Sequence, residues 1–276
     1  MQAPKQFEKD ATRLKILAYG VPGSGKTTFA STAAEIGKVL FINVEGGMLS
    51  IPARYQENIL VIDLKNTPEQ TAIEQFEETL YTLSYQDFKA NPWLEGIETV
   101  VLDSGSEFAN IALESIVRKR MEINPRHEAD EVWLEDYGRM NSSLTRLFRH
   151  LRDIPYHVIM TALSQTMLPP QSDSDRKSAI TPEPLEVKPA FTKKLAESTM
   201  GFYDCVWHFY MKTSEGTNEE GNVRIDRDIY VLTQPYRIYR AKTRGSNFPD
   251  ELGHLISNPL FSTIMQTLRE SETGDR

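Results

Sequence analysis

Residues 14–27 read Leu-Lys-Ile-Leu-Ala-Tyr-Gly-Val-Pro-Gly-Ser-Gly-Lys-Thr, an apolar run that passes straight into a glycine-rich turn. The turn satisfies the phosphate-loop pattern G-x-x-x-x-G-K-[ST] without departure. Its glycines let the backbone curl so that several N–H groups point at a β-phosphate. Lys26 is expected to reach the β- and γ-phosphates, and the Thr27 hydroxyl to ligate Mg²⁺. The helix opening near Lys26 adds its positive dipole end. The expected nucleotide contacts are Gly20, Val21, Pro22, Gly23, Ser24, Gly25, Lys26, Thr27 and Thr28, with ATP and Mg²⁺ as cofactors.

Outward from this turn, strands and helices alternate. Residues 14–19 read as a strand buried on both faces, and 27–36 as a helix that stops at Gly37. Buried strands are expected at 39–44, 59–64, 99–102 and 157–162. Thr67-Pro68-Glu69 predicts a helix start, with the helix running to about Tyr85; further helices are expected at 106–121 and 136–152. Such alternation implies right-handed crossovers and a mostly parallel sheet. Residues 164–190 are rich in proline and polar side chains, show no convincing period, and predict a structureless stretch that is either a functional loop or disordered. Strand-like runs return at 202–211, 228–232 and 236–241, with 212–222 as an exposed hairpin connection. Residues 247–276 open on Pro-Asp and predict one or two short helices before a polar tail.

A phosphate loop needs a second carboxylate to order the metal, placed at the end of another buried strand. Asp103, where the run Thr99-Val100-Val101-Leu102 ends, supplies it. Ser104 follows, so a water-activating base must come from elsewhere. Glu45 ends the strand at 39–44, and neighbouring strand ends in a parallel sheet converge on one crevice. Glu107 is the alternative, about one turn into a helix.

Composition narrows the class. Of 276 residues, 39% are hydrophobic and 25% charged, which suits a globular chain with a substantial core. The formal net charge of −8 argues against a surface coated in cations for nucleic acid, although it leaves room for a local basic groove. The single cysteine, Cys205, lies in an apolar run and reads as a packed thiol, in keeping with a reducing cytoplasm. No apolar run is long enough to span a membrane, and residues 1–12 are polar, without a signal's apolar stretch. The five histidines are scattered and predict no zinc site.

Four segments, taken together, resemble the RecA/RadA recombinase superfamily, in particular the short phage ATPases of the Sak type linked to single-strand annealing. The phosphate loop is the first. FINVEGG at 41–47 is similar to the family's strand ending in the catalytic glutamate, and VVLDSGSEF at 100–108 to its Asp-Ser metal strand. The stretch 137–165 resembles the helix and strand that lead to a polar γ-phosphate sensor. The resemblance spans residues 13–245, with 1–12 as an N-terminal arm and 246–276 as a C-terminal helical extension.

The resemblance implies a RecA-like α/β core that assembles as a ring or filament on single-stranded DNA, in the host cytoplasm, with a single-strand-binding protein as a further partner. It implies that Glu45 is the catalytic carboxylate, that Thr161 or Gln165 is the sensor, and that Lys242 and Arg244 act on a neighbour's γ-phosphate. Phe7 lies in the arm, without the family's Phe-x-x-Ala spacing. It also implies DNA contacts from two loops. The first holds Arg118, Lys119, Arg120 and Arg126 with Trp133 and Tyr137; the second holds Arg176, Lys177, Lys188, Lys193 and Lys194 with Phe191.

Overall fold

The computed structural model describes residues 13–123, 131–170, 182–217, 223–244 and 253–274. β1 (Lys15–Gly20) is buried at every position, as an apolar strand in mid-sheet must be. It feeds the glycine turn and α1 (Lys26–Ser31), which tightens into a 3-10 turn at Thr32–Glu35. Around β1 the parallel strands lie in the order β3 (Ile59–Asp63), β2 (Lys38–Asn43), β4 (Ile97–Asp103), β5 (His157–Met167), β1 and β7 (Cys205–Thr217). β5 therefore separates the phosphate-loop strand from the strand that carries Asp103. Antiparallel strands finish the sheet: β8 (Val223–Leu232) and β10 (Leu255–Ser257) lie beyond β7, β6 (Glu186–Pro189) pairs with β5, and β9 (Lys242–Thr243) with β7. The architecture is the expected mostly parallel α/β core of a P-loop NTPase.

Helices cover both faces. On one side α2 (Ala72–Tyr85), α3 (Gly105–Ile123), α4 (Leu134–Asp153) and α5 (Lys193–Phe202) bury a core that includes Phe76, Phe108 and Phe148. Phe76 and Phe108 meet edge to face at 4.7 Å, a geometry that adds to the roughly 1.5–3 kcal/mol of burying each ring. On the other side α1 and α6 (Phe261–Gly274) close over Phe29, Trp207, Phe209 and Phe261. α6 is thus part of the second core: Phe261 N–H donates to Thr32 Oγ1 at 2.8 Å.

Several local expectations are corrected. The second long helix starts at Ala72, not at Pro68, because Thr71 and Glu74 form a capping box. Two terminal N–H groups are satisfied there, while Thr67 to Gln70 close a separate turn. The stretch expected to be structureless contributes the end of β5 and all of β6, with residues 171–181 outside the described set. α5 has no counterpart among the expected elements; Phe202 ends it, and the strand begins only at Cys205. Residues 236–239 make a turn closed by reciprocal backbone bonds of Tyr236 and Tyr239 at 3.3 and 2.9 Å, so the run 236–241 forms no strand and β9 follows it at Lys242–Thr243. The hairpin strands extend to Thr217 and from Val223, longer than their apolar cores suggest. Among the described residues no helix is long and apolar enough to cross a membrane.

Candidate nucleotide and metal site

The site sits where β1, β2 and β4 end. Gly20 must be glycine because a Cβ there would lie 2.2 Å from the Phe209 carbonyl oxygen on β7. Gly25 must be glycine for two reasons: its φ is +90°, and a Cβ would meet Ile229 Cδ1 at 2.4 Å. The loop is thereby wedged against β7 and β8. Lys26 is buried, and its ammonium donates to the Gly20 and Val21 carbonyls at 3.0 and 2.9 Å. Burial lowers the Lys26 pKa, while Glu45 and Asp103 pull it back up.

Asp103 ends β4 as expected, and the peptide to Ser104 is cis. Its Oδ2 accepts from Thr27 Oγ1 at 2.9 Å, and its Oδ1 accepts from the Thr161 hydroxyl. Burial raises the Asp103 pKa, the two hydroxyls and Lys26 oppose that shift, and Glu45 adds to it. Glu45 is exposed at the end of β2; the Val44 and Glu45 N–H groups donate to the Asp103 carbonyl at 2.8 and 3.3 Å. Asn43 shapes this turn, its Oδ1 accepting from Gly46 N–H at 3.0 Å. Glu107 lies in the first turn of α3 and accepts from Asn110 at 3.0 Å.

The residues present fit a magnesium ion. Thr27 and Asp103 put two hard oxygens side by side, and a Cβ on Gly47 would lie 3.8 Å from Asp103 Oδ2 and 3.9 Å from Thr27 Oγ1. Glycine keeps the space beside that pair open. Among the described residues no group of three or more His, Cys, Asp or Glu can hold a metal. Magnesium suits such a sparse set, since it takes one or two protein ligands and completes its shell with phosphate oxygens and water.

The remaining candidates separate. Thr161, fully buried on β5, is the residue on Asp103. Gln165 is used by the fold instead: its Nε2 donates to the Pro189 and Phe191 carbonyls at 3.1 and 2.7 Å, bracing β6 and the start of α5. Lys242 pairs with Val206, which lies beside Leu17, three residues before Gly20. That separation along the sheet is roughly 10 Å, so the pair stands toward the opposite end from its own phosphate loop. Arg244 donates to the Gly201 carbonyl at 2.6 Å.

The first expected DNA segment is corrected. Arg120 is buried, paired with Asp136 at 3.3 Å, bonded to the Glu131 carbonyl and laid over Trp133 at 4.0 Å. It holds α3 to α4 and offers no cation to solvent. Arg118 donates to the Thr67 carbonyl at 2.8 Å, and Lys119 pairs with Glu74 at 2.7 Å. In the second segment Lys188 is buried on Glu186 at 2.6 Å and Phe191 is buried, whereas Lys193 and Lys194 stand exposed in the first turn of α5. Arg126, Arg176 and Lys177 lie outside the described residues.

A sequence model of the AAA domain family matches residues 12–245, from just before β1 to just past β9. The chain belongs to the AAA domain family. This AAA-domain protein is therefore a P-loop ATPase, and the matched region contains the phosphate-loop motif built around Gly20, Gly25 and Lys26. No curated protein matches the chain.

Thr161, Asn43 and Gly47 also stand at these strand ends, and of the three the sequence pattern singles out only Thr161, as an alternative sensor. Asn43 leaves a trace in the sequence, as a polar residue inside an otherwise apolar strand.

Proposed function

We propose that this AAA-domain ATPase assembles protomer to protomer on single-stranded DNA and assists phage recombination or annealing, hydrolysing ATP between subunits. The observation that supports it most is the meeting of separate RecA-like segments at one end of the sheet: Lys26 and Thr27 from the loop, Glu45 from FINVEGG, Asp103 from VVLDSGSEF and Thr161 from the following strand. In this reading Lys26 steadies the β- and γ-phosphates, Thr27 and Asp103 hold Mg²⁺, and Glu45 takes the proton of the attacking water. Held by Thr27 and Asp103, Mg²⁺ would supply positive charge to offset the negative charge that develops in transfer. Lys242 and Arg244 stand away from their own loop, which supports a role on a neighbour's nucleotide.

A regulatory ATPase that binds a protein partner is the second reading, favoured by one observation: Arg118, Lys119 and Arg120 are all engaged within the chain. Fluorescence anisotropy of a labelled oligonucleotide, with an ATP analogue and several salt concentrations, separates the two. Salt-dependent binding supports the DNA reading; none at any salt favours the partner reading.

A further inference from the structure

The pairing of β1 with β7 ends at Gly20 and Phe209, whereas β7 and β8 stay paired out to Thr217 and Val223. This hairpin therefore projects past the phosphate loop. One of its faces carries a row of rings. Tyr210 stands opposite Tyr230 across the strands, with centroids 5.6 Å apart and planes within 20°. His208 continues the row at 6.0 Å and also 20°, and its neighbour across the strands is Tyr19, the residue before the phosphate loop. Lys212 lies over the Tyr230 ring with Nζ 4.6 Å from the centroid. Beside this row Tyr236 is 52% exposed, and the Arg237 guanidinium sits 5.4 Å from its ring centre.

A cross-strand aromatic pair stabilises any hairpin, and that alone accounts for Tyr210 and Tyr230. It does not account for the rest. Arg237 holds φ at +52°, a left-handed conformation that costs a non-glycine residue energy and that concentrates at functional positions. Lys212 and Arg237 rest on ring faces, while the nearby carboxylates are already engaged: Asp226 by Arg224 at 2.6 Å, Asp228 by Asn258 at 2.9 Å and Glu186 by Arg240 at 2.8 Å. His208, 6% exposed, keeps a buried Nδ1 without a hydrogen-bond partner among the described residues. On a chain of net charge −8, half-buried and exposed rings with cations against their faces match a ligand that is itself planar and anionic.

We propose that this face of the β7–β8 hairpin is a stacking platform for bases of single-stranded nucleic acid, with Tyr210, Tyr230 and Tyr236 meeting the bases and Lys212 and Arg237 the phosphates. The proposal deepens the DNA reading above and rests on it. It also supplies a route to the ATP site, because Ile229, next to Tyr230, packs directly on Gly25.

The test uses the full chain with Mg²⁺, a non-hydrolysable ATP analogue and oligothymidylate carrying 5-bromodeoxyuridine. After ultraviolet crosslinking, adducts are mapped by peptide mass spectrometry, and affinities are measured by anisotropy. Adducts are expected on the tyrosines of residues 210–236. Tyr230→Leu and Tyr236→Leu should each weaken binding about ten-fold, while Tyr→Phe at either position stays within about two-fold, since phenyl rings stack equally. Lys212→Ala with Arg237→Ala should lower the magnitude of the log–log salt slope by about 0.7 for each phosphate that is no longer neutralised. ATP affinity without DNA should be unchanged in all variants, which also checks their folding. If the wild type binds the oligonucleotide but adducts avoid the hairpin and the leucine variants bind normally, the platform is overturned and the DNA reading stands. If the wild type binds no oligonucleotide, the DNA reading falls and takes the platform with it.

Discussion

Thr161 hydrogen-bonds one oxygen of Asp103, which leaves the other to meet Thr27 at 2.9 Å. The carboxylate is thereby aimed from behind. Thr161→Val removes that bond without changing side-chain shape, and turnover should fall about 10- to 100-fold, the usual worth of a group that orients a metal ligand. Thr161→Ser should recover most of it. The bond also favours the ionised carboxylate, so in Thr161→Val the acid limb of the pH–rate profile should move to higher pH. An unmoved profile with full activity would show that Thr161 only packs.

Asp103 itself sets function against stability. Its folded pKa is raised by burial, so the folded chain binds this proton more tightly than the unfolded chain does. Stability from this group therefore rises as pH falls through the folded pKa, and at neutral pH the buried charge is a cost. Asp103→Asn should melt at a higher temperature than the wild type near neutral pH without nucleotide, and the gap should close as pH falls. Its ATP turnover should drop by about 10²-fold or more, since the metal is loosened. Thermal unfolding across pH, beside a phosphate-release assay, checks both. A variant less stable at every pH would contradict the argument.

The base assignment is tested by amides. Glu45→Gln keeps the side chain's shape but takes no proton, so turnover should fall by about 10²–10⁴ with ATP binding retained. Glu107→Gln should lose little, because Glu107 is occupied with Asn110 inside α3. The reverse pattern would move the base to Glu107.

Lys242 and Arg244 can be tested for action across an interface. Lys26→Ala protein and the double variant Lys242→Ala, Arg244→Ala should each be nearly inactive alone. Mixed in equal amounts in head-to-tail assemblies, about a quarter of interfaces would join an intact loop to an intact cation pair, and activity should return in proportion. Mixtures no more active than their parts would show that the pair does not act across the interface.

The parts of the molecule legible in sequence are the local ones. The glycine turn carries its own geometry, and Asp103 and Glu45 are readable because each ends an apolar run on a buried strand. Thr161 is only one of two sensor candidates in sequence, since its contact with Asp103 depends on β5 lying between β1 and β4, a matter of strand order. Arg120 reads as an exposed cation because its partners, Asp136 and Trp133, come from the next helix and its approach. Tyr236 to Ala241 mimics strand alternation, yet reciprocal backbone bonds between Tyr236 and Tyr239 turn the chain there. α5 is hidden because its buried positions, Leu195, Ala196 and Thr199, make too short an apolar signal next to a proline-rich stretch.

The most direct test of the account is steady-state ATP hydrolysis by the wild-type chain with Mg²⁺, measured with and without single-stranded DNA, using Lys26→Ala as the control for contaminating activity. The account predicts turnover that is raised by single-stranded DNA, weakened as salt rises, and abolished in Lys26→Ala. Turnover that depends on Lys26 but is indifferent to DNA at every salt concentration would contradict it, leaving a P-loop ATPase whose stimulus lies elsewhere.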